Sequence, residues 1–233
     1  MHPNMKLSRL DWLCLPLAIF LAVAFGSAVL SHRPAAAEPA TPFVLDSARQ
    51  ASMPVTYWVD SRFSAEEIRA IRSAFSAWEE ASGRRVSFAY LGTRDARAGA
   101  ENDGQTTVVR SERPVRATSD AVAQVVRTYE KTEPGAVRRY RDTDIVLDFS
   151  GRVAWSSNDA TGTQDLQSVI VHEVGHVLGL EHVGDPNQAM YRYIERGARW
   201  RRQPAEGDLE GILAGYADNP VRPRPFGGPQ LLR

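Results

Sequence analysis

Three histidines at fixed offsets constrain this chain more than any other feature. The segment reads His172-Glu173-Val174-Gly175-His176-Val177-Leu178-Gly179-Leu180-Glu181-His182. His172 and His176 are four residues apart, so on a helix they share one face on adjacent turns. Two imidazoles placed like this can grip one metal ion, and Glu173 beside the first can reach a water on that metal. Gly179 tolerates a left-handed backbone, so it can end the helix and turn the chain back. His182 then comes round as a third ligand. Three histidines that leave a fourth position for water are the pattern of one catalytic zinc rather than of a closed structural site. Of the five histidines, His2 and His32 lie in or beside an N-terminal leader, and every other one is in this motif. Leu166, Val169, Ile170, Val177 and Leu178 supply apolar packing for such a helix.

Composition removes several other classes. The 28 basic side chains balance 28 acidic ones, so no basic excess marks a nucleic-acid partner. A hydrophobic content of 43% is too high for a disordered chain. The single cysteine, Cys14, excludes an internal disulfide framework and an all-cysteine metal site. A length of 233 residues suits one ordinary domain plus a leader, or at most two small domains. Trp12 to Leu30 carries no charge, follows Lys6 and Arg9, and precedes Ala35-Ala36-Ala37. A positive start, an apolar core and a small-x-small site describe a secretory signal cleaved before Glu38. The apolar run is nevertheless longer than the usual ~7–15 residues and close to the ~20 that span a bilayer. Residues 1–37 therefore read as a signal peptide or as an N-terminal signal anchor. Both readings place the rest outside the cytoplasm, secreted or tethered, and confine membrane contact to residues 12–30.

Residues 38–53 are rich in Pro, Ala and Ser and read as a linker. A single mixed domain follows at 54–217, then a Pro/Arg-rich tail at 218–233. Val55–Val59, Val86–Tyr90, Thr106–Arg110, Ala121–Tyr129 and Thr143–Phe149 have the alternation or branching of strands. Ser64-Ala-Glu-Glu67 is a capping box ahead of Ile68, Ile71, Phe75 and Trp78 at helical spacing, and Gly83 would close that helix. Residues 92–105 read as a surface loop. Further helices are expected over about 165–178 and 206–216, the last apolar at Leu209, Ile212, Leu213 and Tyr216. Strands that give way to helices imply an α+β domain. A monomer is expected.

The His172–His182 segment resembles the metzincin signature of zinc proteases. Met190 stands where that family carries the methionine turn beneath its zinc. Within the metzincins the chain is most similar to the matrixins. Asp185-Pro-Asn-Gln-Ala-Met-Tyr191 resembles the approach to their methionine turn, and Asp208 to Tyr216 their closing helix. Phe75-Ser-Ala-Trp78 is similar to the end of their first long helix, and Asp144-Ile-Val-Leu-Asp148 with Trp155 to the strand before the active-site helix. The resemblance implies a metzincin-like catalytic domain: a twisted mixed sheet with an active-site helix and a C-terminal helix. It also implies zinc-dependent cleavage of protein or peptide substrates. Glu173 would take a proton from the zinc-bound water and pass it to the leaving amine. Loss of Glu173 would have favoured a silent zinc-binding adaptor domain, and Glu173 is present. If residues 12–30 stay in the membrane, a processing protease of narrow specificity is the third possibility.

The resemblance also has gaps. No histidine lies between His32 and His172, so the second, structural zinc of animal matrixins is not expected. Cys14 sits in the leader, so latency by a cysteine switch is not expected either. Arg192 stands where many matrixins have proline. Calcium, which family members often bind, is a candidate near Asp142, Asp144 or loop 92–105. Substrate is expected to lie extended along the edge of Ala121–Tyr129, at Ala123 and Val125. Ser168 is expected near the pocket for the side chain after the cut. Tyr191 and Tyr193 are expected as site walls.

Overall fold

The computed structural model describes residues 28–30, 42–97, 99–116, 120–130 and 138–218. Apart from residues 28–30, the leader lies outside the described residues, as does the tail from Asn219. No described helix is long and apolar enough to cross a membrane. The strands are β1 (Ala28–Leu30), β2 (Ala48–Arg49), β3 (Val55–Asp60), β4 (Phe88–Arg94), β5 (Thr106–Ser111), β6 (Ala121–Tyr129), β7 (Arg138–Asp148), β8 (Trp155–Ser156) and β9 (Gln164–Asp165). The helices are α1 (Ala65–Ala81), α2 (Leu166–Val177) and α3 (Glu206–Gly215), with a 3-10 turn at Arg199–Arg202. The main sheet runs β1-β6-β7-β5-β3-β4, with β2 alongside β7. Strands β3, β4, β5 and β7 are mutually parallel, whereas β6 runs antiparallel to β7. The sheet is therefore mixed, as the metzincin resemblance implies.

Side-chain alternation gives the sheet two buried faces. Val108, Ile145 and Leu147 point into the main core beneath α1 and α2. Val109 and Val146 point the other way, into a smaller cluster with Ala96. From Asp142 onward β7 is buried without a break, which a strand covered on both faces must be. It also starts at Arg138, earlier than its apolar run, because Arg138 and Arg139 pair with β2 and Tyr140 and Asp142 pair with β6.

The capping box of α1 forms as its sequence implies. Ser64 Oγ accepts from the Glu67 N–H at 3.2 Å, and Glu67 Oε2 accepts from the Ser64 N–H at 2.7 Å. Ile71, Phe75 and Trp78 make its buried stripe, and the Trp78 indole donates to the Val171 carbonyl of α2 at 2.8 Å. Every residue of α2 except Gln167 is buried. A helix enclosed on all sides carries no amphipathic pattern, and this one is core throughout. In α3, Ile212 and Tyr216 pack inward, but Leu213, expected to join them, is 50% exposed.

The linker expected at 38–53 is corrected for its described part. Residues 42–50 are built into the domain, with Asp46 N–H donating to Gly179 O and Glu181 N–H donating to Val44 O, both at 2.8 Å. Leu45 and Leu180 form an antiparallel bridge between them. Small and polar composition suggested a spacer; backbone pairing with a distant turn gives the segment its structure.

Candidate active site

Helix α2 begins at Asp165, whose carboxylate accepts from the Ser168 N–H at 2.9 Å. Its second half carries His172, Glu173 and His176, all fully buried. Gly175 lies between them because nothing larger fits: a Cβ there would stand 2.2 Å from Met190 Sδ and 3.1 Å from the Trp78 ring. At Gly179 the backbone turns left-handed, with φ +90°. A Cβ at this position would meet the Ala48 carbonyl at 2.8 Å, so both backbone and space call for glycine.

The turn brings His182 back to the helix. Its Nε2 lies 3.1 Å from His172 Nε2 and 3.2 Å from His176 Nε2. The other ring nitrogens explain why these atoms converge. His172 Nδ1 lies 2.7 Å from the Ala189 carbonyl, and His176 Nδ1 lies 2.7 Å from the Leu180 carbonyl. A carbonyl oxygen only accepts, so both Nδ1 atoms carry the proton and both Nε2 lone pairs face the centre. Burial pushes His172 down to about 3 and holds His176 well below its ordinary value, so both rings stay neutral. Neutral, convergent nitrogens are what a divalent metal requires. Among the described residues, these three histidines form the one cluster of at least three His, Cys, Asp or Glu groups with metal-holding geometry.

Glu173 completes the site. Both carboxylate oxygens are buried with no hydrogen-bond partner, and burial raises its pKa well above the usual carboxylate range. A polar group left in this way calls for an occupant. Below the histidines, Met190 is 1% exposed. Its loop is held by a residue that sequence reasoning did not single out. Asp208 of α3 accepts from the Ala189 N–H at 2.8 Å and the Met190 N–H at 3.1 Å. The signal available was an acidic third residue in a helix, which alone indicates only a cap. Arg201, 3% exposed, donates to the carbonyls of Tyr191, Tyr193 and Pro186 and fastens the same loop.

A family model for the matrixins, the M10 peptidases, matches residues 51–217. The chain belongs to the matrixin family. Metalloendoproteinase 1 of Glycine max is 39% identical over 83 residues, which are 36% of this chain and 26% of that protein. Metalloendoproteinase 5-MMP of Arabidopsis thaliana is 38% identical over 71 residues, 30% of this chain and 19% of that one. The matching stretches thus span about a quarter or less of these relatives. A solved structure, the hatching-enzyme zinc-protease HCE-1 of Oryzias latipes, aligns with a TM-score of 0.42 at 13% identity, covering 77% of this chain and 99% of that one.

The matrixin domain places the weaker substrate candidates as follows. Ala123 and Val125 lie on β6, but both side chains are fully buried in the core. What β6 offers outward is its backbone, since β7 pairs with its other edge. Ser168 is fully buried, and its hydroxyl bonds Asp165 at 2.7 Å and the Ala198 carbonyl at 2.9 Å. It ties the helix start to the following loop and presents no surface to a substrate, which corrects the pocket expectation. Tyr191 is half-buried and Tyr193 is 7% exposed, with ring centroids 5.5 Å apart.

Asp142 and Asp144 spend oxygens on the backbone rather than gathering a third acidic ligand. Asp144 accepts from Thr107 N–H at 2.7 Å and Glu101 N–H at 2.9 Å, and Asp142 accepts from Thr143 N–H at 3.0 Å. Burial, reinforced by neighbouring acidic charge, pushes Asp142 up to about 6 and Asp144 up to about 8. A carboxyl whose folded pKa is raised favours folding below its unfolded pKa of ~3.9 and loses that contribution as pH climbs through the folded value. Melting temperatures should therefore contain a component that declines from about pH 4 to about pH 8. In Asp144→Asn the decline should be shallower, and identical slopes would refute the assignment.

Proposed function

We propose that this domain is a zinc-dependent endopeptidase acting on extended protein or peptide segments outside the cytoplasm. One observation carries the proposal: three neutral imidazole nitrogens converge beside a fully buried carboxylate that has no partner of its own. Zinc bound there would lower the pKa of a water toward ~7 and polarise the scissile carbonyl. His172 and His176 are held to one tautomer by the Ala189 and Leu180 carbonyls, so their Nε2 atoms need no rearrangement to bind. Glu173, its pKa raised by burial, is suited to accept a proton at a carboxylate oxygen and return it to the leaving amine. The enclosed floor of α2 and Met190 excludes bulk water from that transfer. The leader at residues 1–37 supports an exported setting.

Strand β6 supports the extended substrate. Its outer edge already pairs antiparallel with β1, in the register Ala28↔Gln124 and Val29↔Ala123. An edge that accepts one short segment of backbone can accept another. A chain of residues 28–233 should therefore show a severalfold higher KM for a long peptide than one of residues 38–233, with kcat unchanged. Equal KM values would argue against substrate pairing on β6. The zinc proposal itself is tested by chelation. Dialysis against a strong chelator should abolish peptide cleavage, and one equivalent of zinc should restore it. Cleavage that survives complete removal of metal would overturn it.

A further inference from the structure

Arg127 projects from β6 on the same inward face as Ala123 and Val125, where an apolar side chain would suit the core. It is charged nonetheless, and its side chain is only 5% exposed. Burying a guanidinium is costly unless it is paired. Here Nη1 reaches Glu181 Oε1, and it lies 3.3 Å from Asp46 Oδ2. Asp46 Oδ2 also accepts from the Tyr140 hydroxyl at 2.6 Å and the Tyr129 hydroxyl at 3.4 Å. The two carboxylates belong to two segments already clasped by backbone: Asp46 N–H donates to Gly179 O and Glu181 N–H to Val44 O, both at 2.8 Å. Arg127 thus closes a side-chain bridge between the sheet, the segment 44–46 and the turn 179–181.

That turn carries the Leu180 carbonyl that holds His176 Nδ1, and it leads directly into His182. His172 and His176 are fixed by α2 and by their own Nδ1 bonds. His182 stands outside the helix, directly after Glu181, and its position follows from the turn. We propose that Arg127 is a positioning residue, which by bridging Glu181 and Asp46 fixes the turn carrying His182 and so sets how tightly the three histidines hold their metal. This rests on the zinc-site reading above. The Arg127 guanidinium bonds Glu181 and Asp46, and its charge is also felt at His176, His182 and Glu173, so its hold on the turn runs through Glu181.

The test compares Glu181→Gln, Arg127→Met and Arg127→Lys with wild type in the full chain. Zinc affinity is read by competition with a chromophoric chelator, and the melting temperature of each metal-free protein is read alongside. Glu181→Gln keeps shape and leaves the Arg127–Asp46 pair intact, so it guards against a variant that fails to fold. Glu181→Gln and Arg127→Met are expected to weaken zinc binding by ~10–100-fold, the usual effect of losing a group that orients a ligand. Arg127→Lys should recover part of that loss. Zinc affinity within twofold of wild type in a folded variant would overturn the proposal, even if its melting temperature fell, because the bridge would then serve stability alone. Wild type that binds zinc but cleaves no peptide would sink the peptidase reading and leave this one standing. Wild type that binds no zinc would overturn both.

Discussion

Replacing Glu173 with glutamine should lower kcat by ~10²–10⁴-fold while zinc content stays at the wild-type level, the range expected when a general acid–base group is lost. The substitution keeps the shape of the side chain and removes the group that can exchange a proton. Glu173 is fully buried, neither carboxylate oxygen is bonded, and the metal-holding cluster comprises the three histidines alone. The proposed function gives metal binding and proton transfer to different side chains, and one substitution separates them. The check is steady-state cleavage of a fluorogenic peptide together with metal analysis of the same sample. A zinc-loaded Glu173→Gln protein within tenfold of wild type would assign the proton to another group.

Trp78→Ala should cost ~3–5 kcal/mol of stability, the usual range for emptying a large aromatic site in a core. For a domain of this size that corresponds to a melting temperature lower by ~6–20 °C. Trp78 is fully buried, its indole bonds Val171 O at 2.8 Å, and its ring closes against Gly175 between His172 and His176. It joins α1 to the helix that holds His172, Glu173 and His176, so metal affinity should weaken along with stability. Trp78→Phe, which keeps most of the apolar contact and loses only the hydrogen bond and part of the ring, should fall between. Calorimetry of the zinc-loaded proteins measures both. A loss below ~1 kcal/mol for Trp78→Ala would mean that the space collapses and that α1 does not support the site.

What could be read from the sequence was what local spacing encodes. The offsets among His172, His176, Gly179 and His182 translate directly into helix faces and one left-handed turn, and the structure contains both. Strand β6 occupies Ala121–Tyr129 as its alternation implied, and Ser64 with Glu67 caps α1. The remainder depends on pairs far apart in the chain. Arg127 meets Asp46 across 81 positions, and Asp208 reaches Met190 across 18. Neither arginine nor aspartate announces such a partner, so composition alone reads residues 42–50 as part of a linker. Ser168 was misplaced for a related reason. The matrixin resemblance implies a pocket near Ser168, whereas Asp165 and Ala198 bury and satisfy its hydroxyl. Leu213 fits the helical repeat of α3, but its side of the helix faces solvent, and periodicity alone does not show where a stripe ends.

The central claim is that the three histidines and Glu173 form a working zinc peptidase centre. Incubating the zinc-loaded protein with a broad peptide library, and reading the new termini by mass spectrometry, tests it most directly. The account predicts internal cuts by wild type that are absent with Glu173→Gln. A zinc-loaded wild type that leaves the library intact, or a Glu173→Gln protein that yields the same cuts at the same rate, would contradict it.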